Sequence, residues 1–180
     1  MAEYVDDAVL DAVLTASRTV VAVATQSLGA AAEETTIAQY RALVVLASRG
    51  PQRMVDLARA LGVTPSTAGR MCDRLLRKGL IRRQRARTDR REVLVSITGA
   101  GRQVVDQATA RRRTLLAQIL ERLPAGQQSA TAEAFRAFAA AAGEIPDGQW
   151  PPPDGPEEPD DRDSVADRQA ERSAAAGIGA

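Results

Sequence analysis

The sequence contains no histidine and a single cysteine, Cys72, in 180 residues. Without histidine there is no imidazole base for a Ser-His-Asp or Cys-His centre, and no imidazole metal ligand. One cysteine excludes an intramolecular disulfide and a cysteine-based zinc cluster. Aromatic side chains are scarce too: two Phe, two Tyr and one Trp do not suffice for an aromatic-rich pocket. Asp6/Asp7 and Glu33/Glu34 are sequence neighbours that would not converge on a helix, so they make poor acid–base pairs. The chain therefore reads as a non-enzyme with no metal and no cofactor. The N-terminus is acidic (Glu3, Asp6, Asp7), which is unlike a signal peptide. No apolar run approaches the ~18–20 residues needed to span a membrane. A cytoplasmic protein with no membrane partner is expected.

What is present is a separation of charge. The net charge is +1, yet residues 1–146 hold 21 basic against 14 acidic side chains, and residues 147–180 hold 3 against 9. Between Arg70 and Arg91 stand 10 basic residues and 2 acidic ones. Lys78 is the only lysine. Arginine suits bidentate contacts with phosphate and guanine, but codon composition gives the same usage, so the argument rests on where the charge lies. A basic centre with an acidic tail points to a polyanionic partner.

The basic centre has an internal order. Leu57, Ala60 and Leu61 share a helical face, and Gly62 follows where a helix C-terminus is normally closed. Thr64 is a good N-cap, and Pro65 at the first helical position loses no hydrogen bond. From there Ala68, Met71, Cys72, Leu75 and Leu76 recur at helical spacing. Ser66, Thr67, Gly69, Arg70, Asp73, Arg74 and Arg77 are left on the opposite face. Short hydroxyls, a glycine and arginines at the start of a second helix suit the major groove, where small side chains permit close approach and Arg reaches guanine or phosphate. Leu80–Ala86 and Val93–Ile97 then read as two strands around the polar tip Arg87-Thr88-Asp89-Arg90-Arg91. A helix-turn-helix followed by a charged hairpin is a winged helix. Its tip is suited to a backbone or to a minor groove, whose negative potential attracts Arg.

These residues carry a family resemblance. Gly79-Leu80-Ile81-x-Arg83, Asp89-x-Arg91 and Val95-Ser96-Ile97-Thr98-x-x-Gly101-Arg102 are similar to the MarR family of winged-helix transcription regulators. So are Leu57-Ala58-x-x-Leu61-Gly62-Val63-Thr64-x-Ser66-Thr67 and Asp73-Arg74-Leu75. The similarity runs from about Thr36 to Arg102; the flanks match only in being helical. The resemblance places the recognition helix at Thr64, Ser66, Thr67, Gly69, Arg70 and Arg74. It implies that Arg91 enters the minor groove, with Arg87 and Arg90 as backbone contacts. Asp89 is read as holding an arginine of the hairpin, and Arg83 as bracing the wing rather than touching DNA. It also implies a two-fold dimer of intertwined terminal helices, a pseudo-palindromic operator, repression more often than activation, and a small-molecule effector between the dimer helices and the winged domain.

The fold class expected is thus mainly α with a small β-wing: a winged helix-turn-helix domain plus terminal dimerisation helices. An N-terminal dimerisation helix spans 1–35, with Val5, Val9, Ala12, Val13, Ala16, Val20 and Val23 at helical spacing from about Tyr4 to Leu28. The winged domain spans 36–98 and opens on the capping box Thr36-Ile37-Ala38-Gln39. Residues 99–145 hold two further dimerisation helices, capped by Thr98 and broken at Pro124-Ala125-Gly126, the last with Phe135 and Phe138 on one face. These helices have more apolar face than the winged domain can cover, which usually marks an interface. From 146 the chain is Pro-rich and acidic, reading as a disordered tail that either acts as a spacer or competes with DNA for the Arg70–Arg91 region.

Three features stay open at this level. Arg53 can meet phosphate or only solvent, and Arg111-Arg112-Arg113 is either a solvated run or part of an acidic-ligand cleft. Cys72, placed among apolar neighbours on the recognition helix, reads as a small hydrophobe rather than an oxidant sensor. The expected function is a sequence-specific, double-stranded-DNA-binding regulator acting as a homodimer. The alternative is a winged-helix module whose basic face takes a protein or RNA partner.

Overall fold

The computed structural model describes residues 5–29, 35–86 and 92–152. Helix α1 (Asp7–Leu28) is followed by α2 (Ile37–Arg49), the short strand β1 (Gln52–Arg53), and helices α3 (Met54–Leu61) and α4 (Pro65–Arg77). The hairpin strands β2 (Ile81–Arg85) and β3 (Val93–Ile97), then helices α5 (Gly99–Leu120) and α6 (Ala125–Ala141), complete the regular structure. The architecture is mostly helical with one small antiparallel sheet, as the sequence pattern predicts.

Local chemistry sets the boundaries. The α2 start is the expected capping box: Gln39 N–H donates to Thr36 Oγ1 at 3.2 Å, and Thr36 N–H donates to Gln39 Oε1 at 3.1 Å. Thr64 and Thr98 cap α4 and α5 with the one-way bond, their hydroxyls accepting from the backbone N–H of Thr67 and Gly101. Helix α1 begins at Asp7, because Asp6 accepts from Ala8 N–H at 2.9 Å and fixes the first turn. Gly62 closes α3 in the left-handed conformation (φ 64°), which only glycine adopts freely, and lets the chain turn sharply into α4.

The core lies where α2, α3, α4 and α5 meet the sheet. Leu43 and Leu46 from α2, Leu57 from α3, Leu75 from α4, Val95 from β3 and Val105 from α5 are fully or almost fully buried together. Truncating any of these leucines to Ala would cost about 2–5 kcal/mol. The buried stripe of α4, namely Ala68, Cys72 and Leu75, is the one its spacing predicts. It turns the opposite face of the helix outward.

Four differences from the sequence reading have physical causes. The sheet has three strands in the order β1-β3-β2, since Gln52 and Arg53 pair with Val95 and Leu94. Two residues are too few to show alternation, so this strand is not legible in the sequence. The hairpin strand covers Ile81–Arg85 rather than Leu80–Ala86. Helix α1 is, by length and composition, long and apolar enough to cross a membrane; its alanines and valines raise the average although Asp11 and Arg18 interrupt any continuous run. The C-terminal end of α1 is buried instead in the globular fold, at Val23, Ser27 and Leu28. Lastly, order does not stop at residue 146. Residues 147–149 form a 3₁₀ turn and the indole of Trp150 packs against the core.

The terminal helices contrast with that core. Along α1, Val9, Leu10, Val13, Leu14, Val20 and Val21 are all exposed. Helix α6 has no buried residue, and Phe135 and Phe138 stand 50% and 60% exposed.

Candidate nucleic-acid interface

The outward face of α4 gathers the residues that the sequence singles out. Ser66, Arg70 and Arg74 are exposed, and Thr67 and Gly69 are half-buried at the same surface. Thr64 is exposed but engaged. Its Oγ1 accepts from Thr67 N–H at 3.3 Å, donates to Thr67 Oγ1 at 3.0 Å and lies 3.1 Å from Ser66 Oγ. Thr64 thus orders the first turn that presents the others. Arg70 Nη2 donates to Thr67 Oγ1 at 3.4 Å, which draws its guanidinium along the same surface. A methyl added at Gly69 would meet no atom within 4 Å. The smallest side chain thus stands where the surface is open, leaving room for close approach.

The hairpin adds charge beside this helix. On β2, Arg83 and Arg85 point outward while Arg82 and Gln84 are half-buried. Arg83 Nη2 donates to Asp73 Oδ1 at 2.9 Å, a tie between β2 and α4. Arg83 is therefore at the surface rather than inside the wing, and it spends its charge on the recognition helix. Being more than half exposed, this pair contributes little stability, on the order of 0–1 kcal/mol; its effect is on orientation. Arg53 forms an ion pair with Glu92, which joins β1 to the base of the wing. Arg87, Asp89, Arg90 and Arg91 lie outside the described residues.

Reading by motif left out Lys78 and Arg85, which are exposed just after α4 and on β2, beside the exposed Arg77. Strand alternation places Arg85 on the side of Arg83, and that is the signal that could have found it. Cys72 is fully buried below this face. Burial, and secondly the neighbouring Asp73 charge, push its thiol up to about 11, with Arg83 pulling weakly the other way. It is a core residue there, as its spacing suggested. Among the described residues no group of His, Cys, Asp and Glu could hold a metal ion.

Away from this surface, Arg112 enters the junction of α1, α2 and α5. Its guanidinium lies 5.2 Å from the centre of the Tyr40 ring, and Nη2 donates to Ser27 Oγ at 3.4 Å. Its buried Nε has no hydrogen-bond partner among the described residues. Arg111 Nη1 donates to Leu28 O at 3.1 Å. Arg112 is therefore half-buried in a packed, partly unsatisfied corner, while its neighbours Arg111 and Arg113 are exposed.

A helix-turn-helix with an arginine-lined second helix, backed by a three-stranded wing, defines the winged-helix class of DNA-binding proteins. The family model described as "MarR family" matches residues 35–93. The chain is 43% identical to RV1404 from Mycobacterium tuberculosis, with 81% of this chain and 99% of that one covered and a TM-score of 0.74. It is 27% identical to the transcriptional regulator BldR from Sulfolobus solfataricus, covering 74% of this chain and 93% of that one at a TM-score of 0.55. FabT from Streptococcus pneumoniae, solved in complex with DNA, shares the fold at 19% identity and a TM-score of 0.60, over 77% of this chain and 98% of that one. A search of curated proteins returned no match. The chain belongs to the MarR family of transcriptional regulators.

Proposed function

We propose that this regulator binds a pseudo-palindromic operator as a homodimer and acts as a ligand-responsive repressor in the cytoplasm. The observation that carries the DNA-reading part is the outward face of α4, where Ser66, Thr67, Gly69, Arg70 and Arg74 share one surface and Thr64 caps the helix. Arg70 and Arg74 take base edges or phosphates, and Arg87, Arg90 and Arg91 extend the contact to the backbone and minor groove. FabT, bound to DNA, has this fold.

The homodimer is supported by the exposed apolar residues of α1 and α6. Val9, Leu10, Val13, Leu14, Phe135 and Phe138 are left uncovered by a single copy, and each large side chain buried in a partner would return about 1.5–3 kcal/mol. In this reading residues 1–35 and 99–145 pair the protomers, and residues 36–98 read DNA. Two recognition helices about 34 Å apart would then meet successive major grooves. An effector that prefers a geometry with misplaced heads weakens DNA binding by its differential affinity for the two geometries. The unpartnered Nε of Arg112, at the junction of α1, α2 and α5, supports an acidic effector there.

The test is binding to the duplex upstream of the protein's own gene, with an unrelated duplex as control, across a salt series. Discrimination of about 10³ or more with a steep salt slope supports the reading. Arg70→Ala should then cost about 1–3 kcal/mol and relax sequence preference. Equal affinity for duplexes of any sequence, the operator search included, would favour a winged-helix module for a protein or RNA partner.

A further inference from the structure

Helix α6 buries nothing, yet the chain that follows it is held firmly against the winged domain. Glu144 forms an ion pair with Arg41 of α2. Ile145 is half-buried, and the Trp150 indole N–H donates to Ile145 O at 2.8 Å across the 3₁₀ turn. Trp150 packs on the core, with the Arg102 guanidinium 5.2 Å from its ring centre. Arg102 in turn donates to Ala47 O of α2 at 3.5 Å and pairs with Asp106 at 3.4 Å. Pro151 and Pro152 continue along a shallow pocket walled by Leu46, Gly50, Ser96 and Ile97. A segment with one aromatic side chain and three prolines (Pro146, Pro151 and Pro152) is stiff and loses little entropy on docking.

We propose that residues 144–152 form a strap that fastens the far end of α6 to the winged domain of the same chain, with Trp150 and Arg102 as positioning residues that set the DNA-reading head relative to the dimer helices. The inference rests on the homodimer reading above. Helix α5 leaves the head through its buried first turns, at Gly101, Val105 and Ala108, and is the first connection. The C-terminal end of α1, with Leu28 in the core, and Arg112 of α5 against the Tyr40 ring are further contacts between the head and the terminal helices. The strap adds an attachment for the end of α6, on the α2 side of the head, and so restrains how the head stands relative to that helix. None of the strap's hydrogen bonds, ion pairs or pocket walls described above involves a residue of α4, so the coupling is assigned to head orientation.

The test uses the full-length homodimer and the duplex it selects from random DNA, together with versions of that duplex carrying one or two base pairs inserted between half-sites. Wild-type protein should lose tenfold or more in affinity per insertion. Trp150→Ala, and Arg102→Met as a variant that keeps apolar packing, should lose less than threefold, with binding to a single half-site within twofold of wild type. Fluorescence of Trp150, the only tryptophan, reads the strap without DNA: acrylamide should quench it more strongly in Arg102→Met than in wild type. A spacing penalty in both variants equal to that of wild type overturns the proposal, even if quenching rises. Wild-type protein that selects no duplex, or does not dimerise, overturns the regulator reading instead and takes the strap's role with it, while quenching still reports whether the strap is seated.

Discussion

Two glycines on the recognition and linker helices make opposite predictions under the same substitution. Glycine in a helix interior is about 0.8–1 kcal/mol less favourable than alanine, so Gly→Ala should stabilise wherever a methyl fits. At Gly69 on α4 it fits, with no atom within 4 Å of the added carbon. Gly69→Ala should therefore raise stability by up to about 1 kcal/mol, or about 2–4 °C in Tm for a chain of this size. At Gly101, in the first turn of α5, the added carbon would lie 2.1 Å from Leu80 O, 2.9 Å from Ile97 Cγ1 and 3.0 Å from Leu80 C. An ordinary carbon–oxygen contact is about 3.3–3.6 Å, so backbone must move by more than about 1 Å. Leu80 O cannot yield easily, because it accepts from Thr98 N–H at 3.1 Å. Overpacking of this kind costs about 1–3 kcal/mol, more than the helix gains. Gly101→Ala should lower Tm by several degrees in a thermal melt followed by circular dichroism.

Operator affinity separates the two further. The methyl at Gly69 stands on the surface proposed to face the groove, and we expect at least a tenfold loss of specific binding from a protein that melts higher. A variant that melts higher and binds its operator as wild type does would remove Gly69 from the DNA-contact set. A Gly101→Ala protein at least as stable as wild type would refute the packing argument, whatever its binding.

Three further outcomes are expected. With its thiol pushed up to about 11, Cys72 has well under 0.1% thiolate at neutral pH; it should resist a thiol reagent until the protein unfolds, and operator binding should survive peroxide. The same displacement is neutral for stability below pH 9, where the thiol is protonated in both states, and should erode stability between pH 9 and about 11, where only the unfolded chain ionises. Leu14→Glu, placing a charge on the exposed apolar stretch of α1, should turn dimer into monomer in light scattering while leaving the helical signal of the winged domain. Truncation after Pro152, which keeps the strap but removes 8 acidic and 3 basic residues, should raise non-specific DNA affinity at low salt if the acidic tail competes with DNA; unchanged binding at low salt would make the tail a spacer.

Sequence and structure agree most closely where a residue's partner is near in the chain. The caps at Thr36, Thr64 and Thr98 and the turn at Gly62 depend on residues three or four positions away, and their chemistry is readable from spacing alone. The buried stripe of α4 is likewise a periodic signal. Features made by distant partners were not legible. Strand β1 exists only because β3 offers an edge to two residues. Arg83 was placed as a brace by family pattern, but nothing in the sequence identifies Asp73 as its partner across ten positions. Trp150, surrounded by proline and acid, carries every compositional mark of a solvated tail and is nonetheless docked. Composition reports how a segment behaves alone, and Trp150 is held by a surface built more than forty residues earlier.

The distribution of burial makes the remaining argument about division of labour. The winged domain closes its core within one chain, so its fold does not depend on a partner, and α4 is presented rigidly by Ala68, Cys72 and Leu75. The terminal helices are the reverse: α6 has no buried residue and α1 only three, all near its C-terminal end. Helix α1 packs along α5 of its own chain, but the apolar surface left uncovered on α1 and α6 is available to a partner, and in the proposed homodimer what it packs against decides where the heads stand. In the proposed mechanism, control of DNA binding is a matter of placement rather than of local rearrangement at Arg70 or Arg74. The parts to watch under an effector are the three places where head and terminal helices meet: the entry of α5 at Gly101, the Arg112 corner and the Trp150 strap.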